Sequence, residues 1–257
     1  MKERDDRLVL DAAALAGEIL LESGAEIFRV EDTIYRIAAA YGVEEAEAFV
    51  LSSGIFLTSE GEGRKTFARV KHIPLVGARL DRVSAVNQLS REIEQGLHTP
   101  EEAMVRLEAI RTMPRLPARL QILASGVGSA CFCLLFGGDW ADALAAASAG
   151  LLLYLYLLFA VKGRLSKIVS NITGGALVTM VSVLLYAVGL GHHLDMMIIG
   201  AIIPLVPGVA FTNGIRDIAD EDYIAGSVRL LDVLLVTFCI AFGVGAVMAG
   251  YHALTGL

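Results

Sequence analysis

Basic residues are scarce in the second half of this chain, and charge of either sign nearly vanishes there. Residues 1–118 hold 15 of the 21 lysines and arginines and 20 of the 28 aspartates and glutamates, leaving 6 basic and 8 acidic side chains for the other 139 positions. The net charge of −7 denies the protein the basic face that a nucleic-acid partner requires. No signal peptide is expected, because Asp11 and Glu18 interrupt the first apolar stretch; the N-terminus is therefore expected in the cytoplasm. Only three cysteines occur. Cys131, Cys133 and Cys239 all lie in apolar runs, and a lone C-x-C is no ligand set, so they read as small membrane-embedded hydrophobes. Neither G-x-S-x-G nor H-E-x-x-H is present, which removes the usual signatures of a serine hydrolase and a zinc protease. No cofactor or bound metal is expected.

Apolar residues are what the chain has in abundance, at 55% with a mean hydropathy of +0.62. Set beside the uneven charge, this describes two regions made for two solvents. The expected fold is an α-helical polytopic membrane protein with five transmembrane helices and a small N-terminal cytoplasmic α+β domain. The domains are expected at 1–118 and 119–257.

In the polar region, Leu8, Ala12, Leu15 and Ile19 recur at steps of 4, 3 and 4, which predicts an amphipathic helix over 5–22. A second helix is expected to start near Ser23, with Ile27, Val30, Ile34, Ile37 and Tyr41 as its apolar stripe and Gly42 as its stop. Between 46 and 70 the runs AEAFVLSS, GIFLTSE and KTFARVK predict two or three antiparallel strands, with EGEGR as a turn. A third helix is expected over about 76–95, with Leu80, Val83, Val86 or Asn87, and Ile93 on one side. A fourth opens at Thr99-Pro100-Glu101-Glu102, with Thr as cap, and ends at Pro114 and Pro117.

Beyond residue 119 the apolar runs are long enough to cross a bilayer, at about 20 residues each. Spans are expected at 120–137, 142–161, 168–190, 194–213 and 226–250. Arg111, Arg115 and Arg119 precede the first; Lys162, Arg164 and Lys167 fill the second connector; Arg216 and Arg229 follow the fourth. The opposite connectors, GGDWAD and GLGHHLD, and the tail lack Lys and Arg. The positive-inside rule then places the N-terminal domain in the cytoplasm and the C-terminus outside.

Three features exceed what an anchor needs. Pro204 and Pro207, with Gly208, remove two backbone donors in mid-span, so a broken or kinked helix is expected there. Broken helices at membrane depth build substrate sites in transporters, and the alternative is a packing kink. Next, Asn213, Arg216, Asp217 and Asp220 share a helical face. That face could hold both charges of a zwitterion, or form a salt-bridge cluster that fixes topology. Third, Asp232 is a carboxylate inside the fifth span, with Arg229 one turn earlier. It is a candidate proton carrier, unless Arg229 simply neutralises it. Asn171, Thr179 and Ser182 on the third span are expected to line the same cavity. His192, His193 and Asp195 read as an outer solvated loop rather than a metal site.

Near the N-terminus, Ser23-x-x-Glu26 reads as a capping box. Arg29, Glu31, Asp32 and Thr33 then form a charged surface off the apolar stripe. The stretches LLESGAEIFRVEDT and PLVPGVAFTNGIRDIADEDYIAGSVRLLD together resemble the threonine/serine exporter family, in particular its N-terminal half, which is a separate polypeptide in split systems. The resemblance covers essentially the whole chain. It implies a subunit of a secondary-active exporter of threonine and serine across the bacterial inner membrane, driven by the proton motive force. Related split systems imply succinate instead. It also implies a second membrane subunit of four or five spans. Carried over, the motif positions are Ser23, Gly24, Glu26, Arg29, Glu31 and Thr33, then Pro204, Pro207, Gly208, Asn213, Arg216, Asp217, Gly226 and Arg229. Asp232 stands where the family more often has Glu.

Two other roles compete for residues 1–118. A membrane-tethered hydrolase would have only Ser23 or Ser53 with His72 to draw on. A regulatory module would gate transport. The export reading is preferred, and no enzymatic activity is expected.

Overall fold

The computed structural model describes residues 2–43, 45–59, 67–73, 77–161 and 165–256. By its contacts the chain divides into two compact units. One comprises residues 1–114 and 208–231; the other comprises residues 115–207 and 232–257.

The first unit is built around α1 (Lys2–Glu22). The expected amphipathic helix is instead a central one: Val9, Leu10, Ala12–Ala16 and Ile19–Leu21 are all buried. Its run of alanines, Ala12–Ala14 and Ala16, lets neighbours approach from several sides. At Gly17 an added Cβ would lie 2.7 Å from Ile34 Cδ1 and 3.2 Å from Ile55 Cδ1. Glu18 is buried in this core helix and is matched by two cations of one strand, Arg69 at 3.1 Å and Lys71 in closer contact. A buried carboxylate persists only with such partners.

The second helix, α2 (Ile27–Ala40), buries Ile27, Val30, Ile34 and Ile37, as the stripe predicts. Three strands follow, β1 (Ala46–Leu51), β2 (Gly54–Ser59) and β3 (Phe67–His72), antiparallel in the order β1-β2-β3. Leu51 faces Gly54 across the first turn; the EGEGR turn lies outside the described residues. Ala48, Val50, Ile55 and Leu57 point into the core. The free edge of β1 is closed by α2. Ala48 N–H donates to Tyr35 Oη (3.1 Å), the Tyr35 hydroxyl donates to Ala48 O (2.9 Å), and Val50 N–H donates to Glu31 Oε1 (3.0 Å). Side chains thus satisfy an edge that would otherwise invite another strand.

α3 (Leu80–Glu94) buries Val86, Leu89, Ser90 and Ile93. Leu80, expected on that face, is exposed because it stands at the first turn. α4 (Pro100–Arg111) carries the anticipated capping box, with Thr99 accepting from Glu102 N–H and Glu102 accepting from Thr99 N–H.

In the second unit α5 (Ala118–Leu135), α6 (Trp140–Tyr156, with a wider last turn Leu157–Val161) and α7 (Lys167–Ala187) are followed by α8 (Leu194–Ile202) and a 3-10 turn (Ile203–Leu205). The chain then resumes as α9 (Gly208–Ala219) and α10 (Tyr223–Thr255). Lys162 and Arg164 lie outside the described residues. Here large side chains face out and small ones face in. Leu144, Leu184, Phe238 and Phe242 are exposed, whereas Ala143, Ala146, Ala149 and Ala201 are buried. A Cβ on Gly175 would sit 2.7 Å from Ile240 O, and one on Gly200 would sit 2.7 Å from Ser129 O. Outward Leu and Phe with inward Gly and Ala is the packing of helices in lipid. Among the described residues four helices are long and apolar enough to cross a membrane, or five if the pair interrupted between Leu205 and Gly208 counts as one span.

Candidate functional site

The two motifs that stand out in the sequence meet in the first unit. α1 does not run into α2; it stops at Gly24, which has φ +78°. Gly24 N–H donates to Leu21 O (3.1 Å) and Ala25 N–H to Leu20 O (3.0 Å). This pair of bonds closes a helix C-terminus and places glycine where a left-handed residue is required. Ser23-x-x-Glu26 is therefore not a capping box. Ser23 ends α1 with its hydroxyl buried and unpartnered, and Glu26, the residue before α2, makes no side-chain cap.

The cap comes from 190 positions away. Asp217, on α9 and only 1% exposed, accepts Ile27 N–H through Oδ1 at 3.0 Å. A carboxylate there meets both an orphan donor and the positive end of the α2 dipole. Asn213 Nδ2 donates to Gly24 O (2.8 Å), and Arg216 pairs with Glu26. The shared face expected of Asn213, Arg216 and Asp217 exists, and it is laid against residues 24–27. Asp220 falls beyond the end of α9.

Arg229, near the start of α10 and 5% exposed, completes the arrangement. Its Nη2 donates to Ala25 O at 2.6 Å, and its Nε lies 3.2 Å from Asp217 Oδ2. Neither Nε nor Oδ2 is aligned for a hydrogen bond, so this second contact is Coulombic rather than directional. Arg229 is thus not the partner of Asp232. Asp232 is held by Lys167, whose Nζ donates to Oδ1 (2.7 Å) and Oδ2 (2.6 Å). In the sequence Lys167 is one of three basic residues in a connector; no periodicity links it to a residue 65 positions later.

Close backbone approach brings α9 against the first turns of α10. A Cβ on Gly226 would lie 2.8 Å from Gly214 O and 3.0 Å from Ile218 N. The intervening turn places Glu221 at φ 71°.

The remaining N-terminal motif residues divide between surface and interior. Arg29 lies 3.6 Å from Glu26, and Asp32 pairs with Arg36 at 2.8 Å. Thr33 is not on the charged surface: it is buried, with its hydroxyl donating to Arg29 O at 2.8 Å. Glu31 is partly buried because it closes the edge of β1. Burial raises its pKa, opposed by the Val50 N–H and reinforced by the charge of Asp222.

Pro204 lies in the 3-10 turn and Pro207 immediately precedes α9. Gly208 has open space around it. Asn171 Nδ2 donates to Lys167 O (2.8 Å), one turn back. Thr179 and Ser182 are fully buried on the same helix. Among the described residues no Ser–His hydrogen bond involves Ser23, Ser53 or His72.

One group, Asp139, Asp142 and His193, has ligand-type atoms within 4.8 Å of one another. Asp142 Oδ1 accepts from the His192 (2.6 Å) and His193 (2.9 Å) N–H groups. Its Oδ2 accepts from Asp139 N–H (2.9 Å) and contacts the His193 ring (2.7 Å). A cation would have to displace several of these bonds. The arrangement ties the α5–α6 turn to the α7–α8 turn.

Residues 11–251 match the family model for the threonine/serine exporters, ThrE. Among curated proteins, the "Threonine/serine exporter" of Corynebacterium glutamicum is 26% identical over 246 residues, 92% of this chain and 50% of that protein. The chain thus spans about half the length of that relative. The "Probable succinate transporter subunit YjjP" of Escherichia coli is 27% identical over 251 residues, 97% of this chain and 96% of that protein. The "Pheromone-regulated membrane protein 10" of Debaryomyces hansenii is 24% identical over 240 residues, 90% of this chain and 24% of that protein. No solved structure matches.

Proposed function

This chain belongs to the threonine/serine exporter family, and we propose that it is one subunit of a secondary-active exporter of small polar metabolites, threonine and serine first. Two of the relatives are named as an exporter and a probable transporter subunit, and the helices suit a multi-pass membrane protein. We place it in the bacterial inner membrane with residues 1–118 in the cytoplasm, following the basic connectors. Two relationships support a second membrane subunit: one relative is twice this chain's span, and another is called a subunit. The proton motive force is the proposed drive.

One observation carries the mechanism. Just past the Pro204–Pro207 break, Asn213, Arg216, Asp217 and Arg229 bind the turn formed by residues 24–27. The break loosens the helix, and the N-terminal motif grips the segment that follows it. Residues 1–114 therefore act as a gate: holding or releasing α9 sets the conformation of the broken helix. A gate of this kind needs two arrangements of similar free energy, and polar contacts to backbone carbonyls can be exchanged for water.

The YjjP relative, matched over nearly its whole length, supports succinate as the second reading. Efflux from cells with and without this chain decides between them, with the second subunit present. Cells are fed threonine- and serine-containing peptides in one arm and driven to accumulate succinate in the other. Loss of threonine and serine efflux on deletion is the expected result. Loss of succinate efflux alone would move the substrate to dicarboxylates, and no loss in either arm would overturn the exporter role.

A further inference from the structure

Asp232 is the only charged residue between Leu230 and Met248, and it lies within the 33-residue apolar helix α10. An ionised carboxylate in such a run is costly, which makes it a residue to be explained. Its counter-ion, Lys167, is itself badly placed for stability. It occupies the first position of α7, after the Ser166 cap whose Oγ accepts Val169 N–H, and a cation at a helix N-terminus opposes the dipole. Two groups that each disfavour their own helix are joined by a two-pronged contact of 2.7 and 2.6 Å.

The pair is also reachable. The Lys167 side chain is 58% exposed and that of Asp232 33%, so an ion pair of this kind adds little fixed stability. Asn171 stands one turn beyond Lys167 on the same face of α7. Its carbonyl oxygen is the type of group that accepts a hydroxyl hydrogen.

We propose that Lys167 and Asp232 form the binding site for the two charges of a zwitterionic amino acid, which opens their ion pair and takes each partner in turn. This rests on the exporter reading above. The substrate carboxylate replaces Asp232 at Lys167, where the α7 N-terminus also favours it. The substrate ammonium replaces Lys167 at Asp232. One ion pair becomes two, no charge is left single, and the hydroxyl of threonine or serine falls to Asn171. A dicarboxylate fits only half of this site, because its second carboxylate meets Asp232 and like charges at contact repel. The site therefore selects zwitterions over dicarboxylates.

The test uses the full chain with its second subunit in cells, reading efflux of threonine and of succinate, normalised to membrane abundance. Lys167→Gln and Asp232→Asn should each lower threonine efflux roughly tenfold or more, the equivalent of one ion contact, while Lys167→Arg should retain it. The deciding readout is selectivity. Removing the negative charge in Asp232→Asn should shift the threonine-to-succinate ratio at least about tenfold toward succinate, and N-acetylthreonine, which lacks the ammonium, should become an effective competitor only in that variant. A pair that merely holds α7 to α10 would lower both substrates alike and leave the ratio and the competition unchanged. That result, or full threonine efflux from both neutral variants, overturns the site while leaving the exporter role standing. A wild-type protein that moves neither substrate overturns the exporter reading itself, and this site with it.

Discussion

Asp217 caps a helix that begins 190 residues before it, accepting the Ile27 N–H at 3.0 Å while Arg229 Nε lies 3.2 Å from its other oxygen. The same arginine holds Ala25 O. With Asn213 Nδ2 donating to Gly24 O, three backbone positions within residues 24–27 are fixed by side chains of one later segment, which explains why neither motif is intelligible without the other.

Replacing Asp217 by Asn leaves an acceptor for Ile27 but strips the buried Arg229 of its counter-ion. Breaking one side of a buried pair costs about 3–5 kcal/mol. Asp217→Asn is therefore expected to lower the thermal midpoint of the purified protein markedly, and Arg229→Met to do the same. The double variant should lose less than the sum of the two. Strict additivity in that cycle would show that the 3.2 Å contact carries no coupling.

Two glycines of the second motif should behave in opposite ways. A Cβ on Gly226 meets the backbone of Gly214 and Ile218 at 2.8 and 3.0 Å, so Gly226→Ala must push α9 from α10, at about 1–3 kcal/mol. Gly208 has nothing within 4 Å of its added Cβ, and Gly208→Ala should change stability by no more than about 1 kcal/mol. Thermal unfolding of the two variants measures the contrast. If Gly208→Ala kept its stability but lost efflux, the looseness of the break would be shown to serve transport rather than folding.

Glu31 makes a pH-dependent contribution of defined sign. Burial raises its folded pKa above the ordinary value of 4.5. Its contribution to stability is therefore complete below that value and declines as pH rises through the folded pKa. A glutamine at this position would keep an oxygen to accept Val50 N–H and would carry no charge. Glu31→Gln is thus expected to be more stable than the wild type at neutral pH and nearly equal to it in acid. Thermal midpoints measured across that range test this; a difference that does not widen with pH would assign the shift to another group.

Much of the fold is legible in the sequence because its signals are local. Periods of 3.6 and 2 mark α2 and the strands, the Thr99–Glu102 box marks α4, and prolines mark the interruption after Leu205. Periodicity misreads α1 because alanine carries too little hydrophobicity to show a second and third buried face. Ser23 and Glu26 mislead for a related reason: S-x-x-E has the same spelling whether it opens one helix or spans the end of another, and the positive φ of Gly24 decides. The partners of Asp217, Arg229 and Asp232 are set by tertiary packing across 12 to 204 positions, and no local period encodes such distances.

The turns at Asp139 and His192 provide a last case in which the direction of a titration can be reasoned through. His192 Nδ1 lies 2.5 Å from Asp139 Oδ2, and this contact raises the histidine pKa. The Asp139 pKa is lowered, first by the Asp142 N–H and then by His192. The histidine contribution is present below its unfolded pKa of about 6.5 and is lost as pH rises through its raised value. The aspartate contribution is present above about 3.9 and is lost as pH falls through its lowered value. The two overlap between those limits, so the link between the α5–α6 and α7–α8 turns is tightest in mildly acidic solution. His192→Gln removes the charge and should abolish the alkaline decline while leaving Asp142 bonded to the 192 and 193 backbone. Amide hydrogen exchange of residues 190–195 against pH reads this directly. Protection in the wild type should fall as the pH rises above the ordinary histidine value of about 6.5, beyond the intrinsic rise in exchange rate, and in the variant it should not. Equal profiles would mean that the Asp142 carboxylate alone holds the turn.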